Sequence, residues 1–193
     1  TVTNTSSRGG AWLPLSVETG KIYILSGDIN VTQADGNDRW ISLGFAAGNS
    51  TSETFSESGV GGYGTLMSRE SGNIIAWRGW RNTGGDTETA LADGVHNIEI
   101  TFDASDANPA NWTMSWRVED SLNTVYTWNN QTANQPSSTA YQNISYVGFS
   151  KIDAAGGTID NFQLQVIPEP GTTSLFLGGL AMGIAALRRR FRR

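Results

Sequence analysis

Apolar residues recur at every second position through most of residues 1–167, and this period of two restricts the fold more than any other feature. Within KIYILSGDINVT, one face reads Tyr23, Leu25, Gly27, Ile29 and Val31. Ile41, Leu43 and Phe45 repeat the pattern, and Ile98, Ile100 and Phe102 alternate with Asn97, Glu99 and Thr101. Trp112, Met114, Trp116 and Val118 lie opposite Thr113, Ser115, Arg117 and Glu119. Later, Val147 and Phe149 alternate with Gly148 and Ser150, and Phe162, Leu164 and Val166 with Gln163 and Gln165. Successive side chains of a strand point to opposite sides, so each run has one face to bury. Turn-forming clusters such as Ala34–Asp38, Asn82–Gly85, Ala92–Gly94 and Ala155–Gly157 separate the runs. No amphipathic helix pattern precedes Pro168. The expectation is an all-β, two-sheet antiparallel β-sandwich of jelly-roll type over residues 1–167.

The remainder, residues 168–193, obeys a different logic. Residues 172–187 read TTSLFLGGLAMGIAAL without a charge, and Arg188, Arg189, Arg190, Arg192 and Arg193 follow at once. A helix over that run is roughly 24 Å long, short of the ~30 Å hydrocarbon core. Snorkelling arginines and local thinning make up the difference, and the basic cluster stays cytoplasmic, which puts residues 1–167 outside. Five arginines directly after the run argue against a buried core helix. Hydropathy alone leaves open whether the anchor is transient or permanent.

Charge follows the same division. Of 13 basic residues five are in this tail, and of 18 acidic residues only Glu169 is, so residues 1–167 hold 8 basic against 17 acidic side chains. Nucleic acid is thereby excluded as a partner, because phosphate binding needs a basic stripe. The absence of cysteine removes thiolate catalysis, disulfides and thiolate-bound zinc. The sequence starts at Thr1 without Met, and a secretory leader upstream is expected.

Pro168-Glu169-Pro170, a short apolar span and an arginine cluster, in that order, resemble the PEP-CTERM sorting signal. The resemblance implies recognition by exosortase, a membrane-embedded, cysteine-dependent processing enzyme expected to cut near the Pro-Glu-Pro. It also implies Gram-negative export and a link to exopolysaccharide or biofilm production. The two prolines keep residues 168–170 extended and poor in backbone donors. From about residue 15 to 167, the chain resembles the concanavalin A-like lectin/glucanase (LamG-type) jelly roll. That resemblance is carried by a Gly-rich aromatic strand (Gly59–Met67), a Trp-bearing strand (Ile74–Trp80), HNIEITFD, WTMSWRVED and the closing GTIDNFQL. The fold hosts lectins, enzymes and inert modules alike.

The retaining glucanases of that fold carry Glu-x-Asp-x-Glu on one strand. Here Glu99-Ile100-Thr101-Phe102-Asp103 is the nearest match, with Thr101 where the central Asp is needed. Four residues of flat strand separate Glu99 from Asp103 by about 13 Å, against the roughly 5 Å of a retaining pair. No catalytic residue is assigned. His96, the single histidine, lacks a nucleophile elbow or a second ligand and reads as a surface or edge-strand residue. Two oxygen-rich loops, Asp103/Ser105/Asp106/Asn108 and Asp35/Asn37/Asp38, carry the ligand types calcium prefers, but Asp/Asn loops more often bond their own backbone. Trp77-Arg78-Gly79-Trp80 is the candidate carbohydrate-binding cluster, because aromatic faces pack on the C–H faces of pyranose rings. Trp112 and Trp116, sharing a face with Met114 and Val118, read as core.

Together these readings point to an exported, exosortase-sorted surface protein with a non-catalytic, exopolysaccharide-associated module. A structural or adhesive matrix protein and a polysaccharide-active hydrolase are the alternatives. In an exosortase-competent host the mature chain is expected to end near Pro168–Pro170, read by intact-mass spectrometry. A mature chain still ending at Arg193 would make the tail a permanent anchor.

Overall fold

The computed structural model describes residues 8–33, 40–49, 62–70, 73–78, 89–132, 141–152 and 156–168. The described residues form eleven strands: β1 (Arg8–Pro14), β2 (Lys21–Gln33), β3 (Trp40–Ala46), β4 (Gly62–Glu70), β5 (Asn73–Arg78), β6 (Thr89–Leu91), β7 (Val95–Ala104), β8 (Thr113–Glu119), β9 (Val125–Thr132), β10 (Tyr146–Ile152) and β11 (Gly156–Pro168). Short 3-10 turns at Pro109–Asn111 and Tyr141–Asn143 are the helical pieces among them. All pairings are antiparallel. One sheet has six strands in the order β1-β10-β3-β4-β5-β6, and the other five in the order β11-β2-β7-β8-β9. This is the expected all-β two-sheet sandwich. The expected apolar helix over 172–187 lies outside the described residues.

The two sheets meet through the predicted faces. Tyr23, Leu25, Ile29 and Val31 of β2, Ile98, Ile100 and Phe102 of β7, and Met114, Trp116 and Val118 of β8 are buried, as are Ile41, Leu43, Phe45, Tyr63, Met67 and Val147 of the facing sheet. Phe102 is the hub. Its ring stacks on Tyr23 (5.8 Å between centroids) and meets Phe45, Trp112 and Tyr141 at 5.6, 5.7 and 5.7 Å. Edge and offset ring contacts of this kind add to the stabilisation from area burial. The Tyr23 hydroxyl reaches the loop before β2, accepting from the Glu18 N–H at 2.7 Å and donating to the Ser16 carbonyl at 3.3 Å.

Of the departures from simple alternation, two shape the sandwich most. In β11, Asn161 and Phe162 together oppose Gly27, a bulge between the pairs Asp160–Asp28 and Gln163–Ser26. Asn161 takes a left-handed φ of 51°. The extra residue resets the phase, so that Ile159 and Leu164 both share the core side with their partners Ile29 and Leu25. Phe162 then meets Phe149 of the other sheet at 5.7 Å. The second departure is that β3 and β10 are buried on both sides: Ser42, Gly44, Ala46, Gly148 and Ser150 are enclosed along with their inward neighbours. Small residues there permit close cover, and the Ser42 and Ser150 hydroxyls satisfy each other at 2.8 Å.

The β8–β9 turn is organised by Asp120, whose carboxylate accepts from the N–H groups of Thr124 (2.8 Å) and Leu122 (2.9 Å). Those donors, Thr124 first, hold its pKa below the ordinary carboxylate value. A depressed folded-state value means stability that is present above the unfolded value of about 3.9 and lost as pH falls through the folded one. Asp120→Asn is therefore expected to melt below the native chain at neutral pH, with the gap closing on acidification to about pH 2. Truncating the hub, Phe102→Ala, is expected to cost about 3–5 kcal/mol in denaturant unfolding.

Candidate functional site

The sequence-derived candidates fall in separate places. Pro168 is the last residue of β11 and pairs with Lys21. Glu169, Pro170 and Arg188–Arg193 lie outside the described residues, as does Trp80. Trp77 and Arg78 are in β5, as register partners of Leu66 and Thr65. Thr65 is buried with Tyr63 and Met67. By backbone register Trp77 continues the line Gly10–Ser150–Ser42–Leu66 across the sheet.

Glu99, Thr101 and Asp103 lie on the outward face of the five-stranded sheet. Glu99 is flanked by Ser26 and Arg117, and Asp103 by Ile22 and Thr113. Register is continuous through β7 on both sides, so no bulge draws the two carboxylates together. Arg117 is ion-paired with Glu119 along its own strand. A little further along the same face the Asp28 carboxylate accepts from Asn97 Nδ2 (3.0 Å) and from Asn161 Nδ2 (2.6 Å), tying β7 and the β11 bulge to β2.

The Asp103–Asn108 loop spends its oxygens on itself. Asp103 caps the N–H of Ser105 at 2.9 Å, Asp106 accepts from the N–H of Asn108 (2.7 Å) and from Asn111 Nδ2 (2.9 Å), and Asn108 caps Ala110 at 3.1 Å. The Asn108 N–H and then the Asn111 amide hold the Asp106 pKa below its ordinary value. The bonding is that of a self-capped turn. The companion loop with Asp35, Asn37 and Asp38 lies outside the described residues.

His96 corrects its expectation. It is fully buried, because the alternation that turns Val95 outward turns His96 into the core beside Ile29. Nε2 lies 2.8 Å from the Ala92 carbonyl and Nδ1 3.3 Å from that of Ile29. Both nitrogens face backbone oxygens, and the ring is a core element in place of a surface one.

A site not singled out in the sequence emerges on the outward face of the six-stranded sheet. Trp12 of β1 pairs with Gly148, and its half-buried indole lies across two glycines. A Cβ at Gly10 would stand 2.8 Å from Trp12 Nε1, and one at Gly148 would stand 2.8 Å from Trp12 Cε3. The ring occupies the space where those side chains would be. Half-buried Tyr146 packs with it against Ala46 in a small cluster separate from the main core. The row continues as Gly148–Gly44–Gly64 across β10, β3 and β4. Its signal in the sequence was faint: one glycine two residues before a tryptophan, and another 136 positions later that only strand pairing brings opposite. Away from this face, between β1/β10 and β11, a cleft of about 240 Å³ is walled by Gly9, Ile41, Phe149, Gly157 and Ile159, with Lys151 and Thr158 supplying polar groups.

Among solved structures, the chain is similar to the metal-free carbohydrate recognition domain of Emp46p (11% identity, TM-score 0.48, covering 83% of this chain and 77% of that one). It is similar too to the carbohydrate recognition domain of Emp47p (11% identity, TM-score 0.46, 83% and 78%) and to an endo-1,3-beta-glucanase from Streptomyces sioyaensis (13% identity, TM-score 0.46, 79% and 66%). No curated protein matches it. Residues 166–193 match the PEP-CTERM protein-sorting motif. The chain is therefore an exported protein, held transiently in the membrane before processing and destined for the cell surface or the extracellular space.

Proposed function

We propose that residues 1–167 form a non-catalytic module that associates with extracellular polysaccharide, delivered by exosortase processing of a sorting tail at 168–193. The observation that carries the binding reading is Trp12, a half-buried indole braced across Gly10 and Gly148 beside Tyr146. An aromatic ring already held by its surroundings loses little conformational freedom on stacking, and its amphipathic face suits the C–H side of a pyranose. Trp77, Arg78 and Trp80 stand as a second candidate contact, two of them in β5 of the same six-stranded sheet as Trp12. The acidic excess of residues 1–167 favours neutral glycan over an anionic one. Against catalysis by β7 stands the unbroken register between Glu99 and Asp103. Calcium is not required by any of these contacts.

Affinity electrophoresis of residues 1–168 in gels containing neutral polysaccharides tests the proposal, run with and without calcium. Retardation is expected, with Trp12→Ala weakening it roughly tenfold and Trp12→Phe recovering part of the loss. Trp77→Ala measures the second contact in the same gels. A chain retarded by no polysaccharide would leave the structural or adhesive matrix reading. Release of reducing sugar that disappears in Glu99→Gln or Asp103→Asn would replace the module by a hydrolase.

A further inference from the structure

The sorting motif and the folded domain share residues. The motif begins at Val166, while β11 continues through Pro168, with Val166, Ile167 and Pro168 paired to Tyr23, Ile22 and Lys21. Between Pro168 and the first residue of the apolar run, Thr172, stand only Glu169, Pro170 and Gly171. Fully extended, that stretch spans at most about 14 Å. A membrane-embedded enzyme has to admit extended chain on both sides of the bond it processes, and the domain leaves it almost none upstream.

We propose that Val166–Pro168 serve two states: they close the five-stranded sheet in the mature protein, and they peel away from β2 to become the upstream arm of the processing substrate. The strand is built for this. β11 lies at the edge of its sheet, so these residues are paired on one side alone among the described strands. Val166 is 46% exposed, Pro168 is exposed and Ile167 is half-buried, so the apolar surface uncovered when they leave is far less than that of a core strand. Proline has no N–H to give up. The residue before a proline is already biased to extended backbone, so Ile167 needs no change of conformation to leave the sheet. Peeling meets burial first at half-buried Leu164, packed on the core, and then at the Phe162–Phe149 contact and buried Ile159, with the Asp28–Asn161 bond holding the bulge between those two.

The inference rests on processing of the tail, and a reversible staple tests it. The chain has no cysteine, so the double variant Ile22→Cys/Ile167→Cys, made at register partners, introduces a single possible disulfide. Full-length chains are incubated with membranes from an exosortase-competent host, with and without a thiol reductant, and followed by mass spectrometry. The oxidised double variant is expected to be processed at least about tenfold more slowly than its reduced form, because a stapled end no longer frays. The native chain and the two single variants should show no such dependence. A second variant, with a flexible Gly-Ser insert between Gln165 and Val166, frees the arm without a disulfide and is expected to be processed at least as fast as the native chain. Equal rates for oxidised and reduced double variant, with the disulfide verified by mass, overturn the inference. A native chain that keeps Arg193 under the same conditions would instead overturn the processing on which it rests.

Discussion

Everything in this protein hangs on two sheets burying one face each against the other, and Phe102 is where that burial is densest. Its ring touches Tyr23 from its own sheet, Phe45 from the opposing one, and Trp112 and Tyr141 from the 3-10 turns that close one end. A sheet cannot be stable with a bare apolar face, so the inward side of β7 determines where β2, β3 and β8 must lie. The outward side is free of that demand, although along β3 and β10 it is enclosed as well.

The two outward faces have different characters. On the five-stranded sheet, Glu99, Arg117, Glu119, Asp28 and Asn97 form a polar surface on which Arg117 pairs with Glu119 and Asn97 with Asp28. On the six-stranded sheet, glycine and serine leave the strands so thinly clothed that Trp12 lies on the backbone of its neighbours. The two surfaces therefore offer different chemistry, charge and amide groups on the first and an indole resting on backbone on the second. β11 links both concerns to sorting: its bulged middle is pinned to the core, while its exposed end runs into the motif that directs export.

Legibility tracked the range of the interaction. The runs Tyr23–Val31, Ile98–Phe102 and Trp112–Val118 announced their buried faces because strand alternation is local and each face has one environment. His96 was misplaced because a single polar residue at the start of a run carries no period of its own; its phase is visible only from the neighbours that follow it. Trp12 has no such local signal, because Gly148, against which its ring lies, reaches it only through the β1–β10 pairing. The bulge at Asn161 was hidden for the same reason, since a bulge is a count of one strand against another.

By itself, the sequence determined the class of fold, the core faces and the destination. Period-two alternation, turn clusters, an uncharged run and a terminal arginine block are each properties of contiguous residues, and local chemistry suffices to read them. Only the tertiary structure decided which strands are neighbours. Pairing brought Gly148 under Trp12, kept Glu99 apart from Asp103 and set Pro168 beside Lys21. Strand order and register arise from contacts between residues far apart in the chain, where burial of the whole face, more than any local preference, selects the partner.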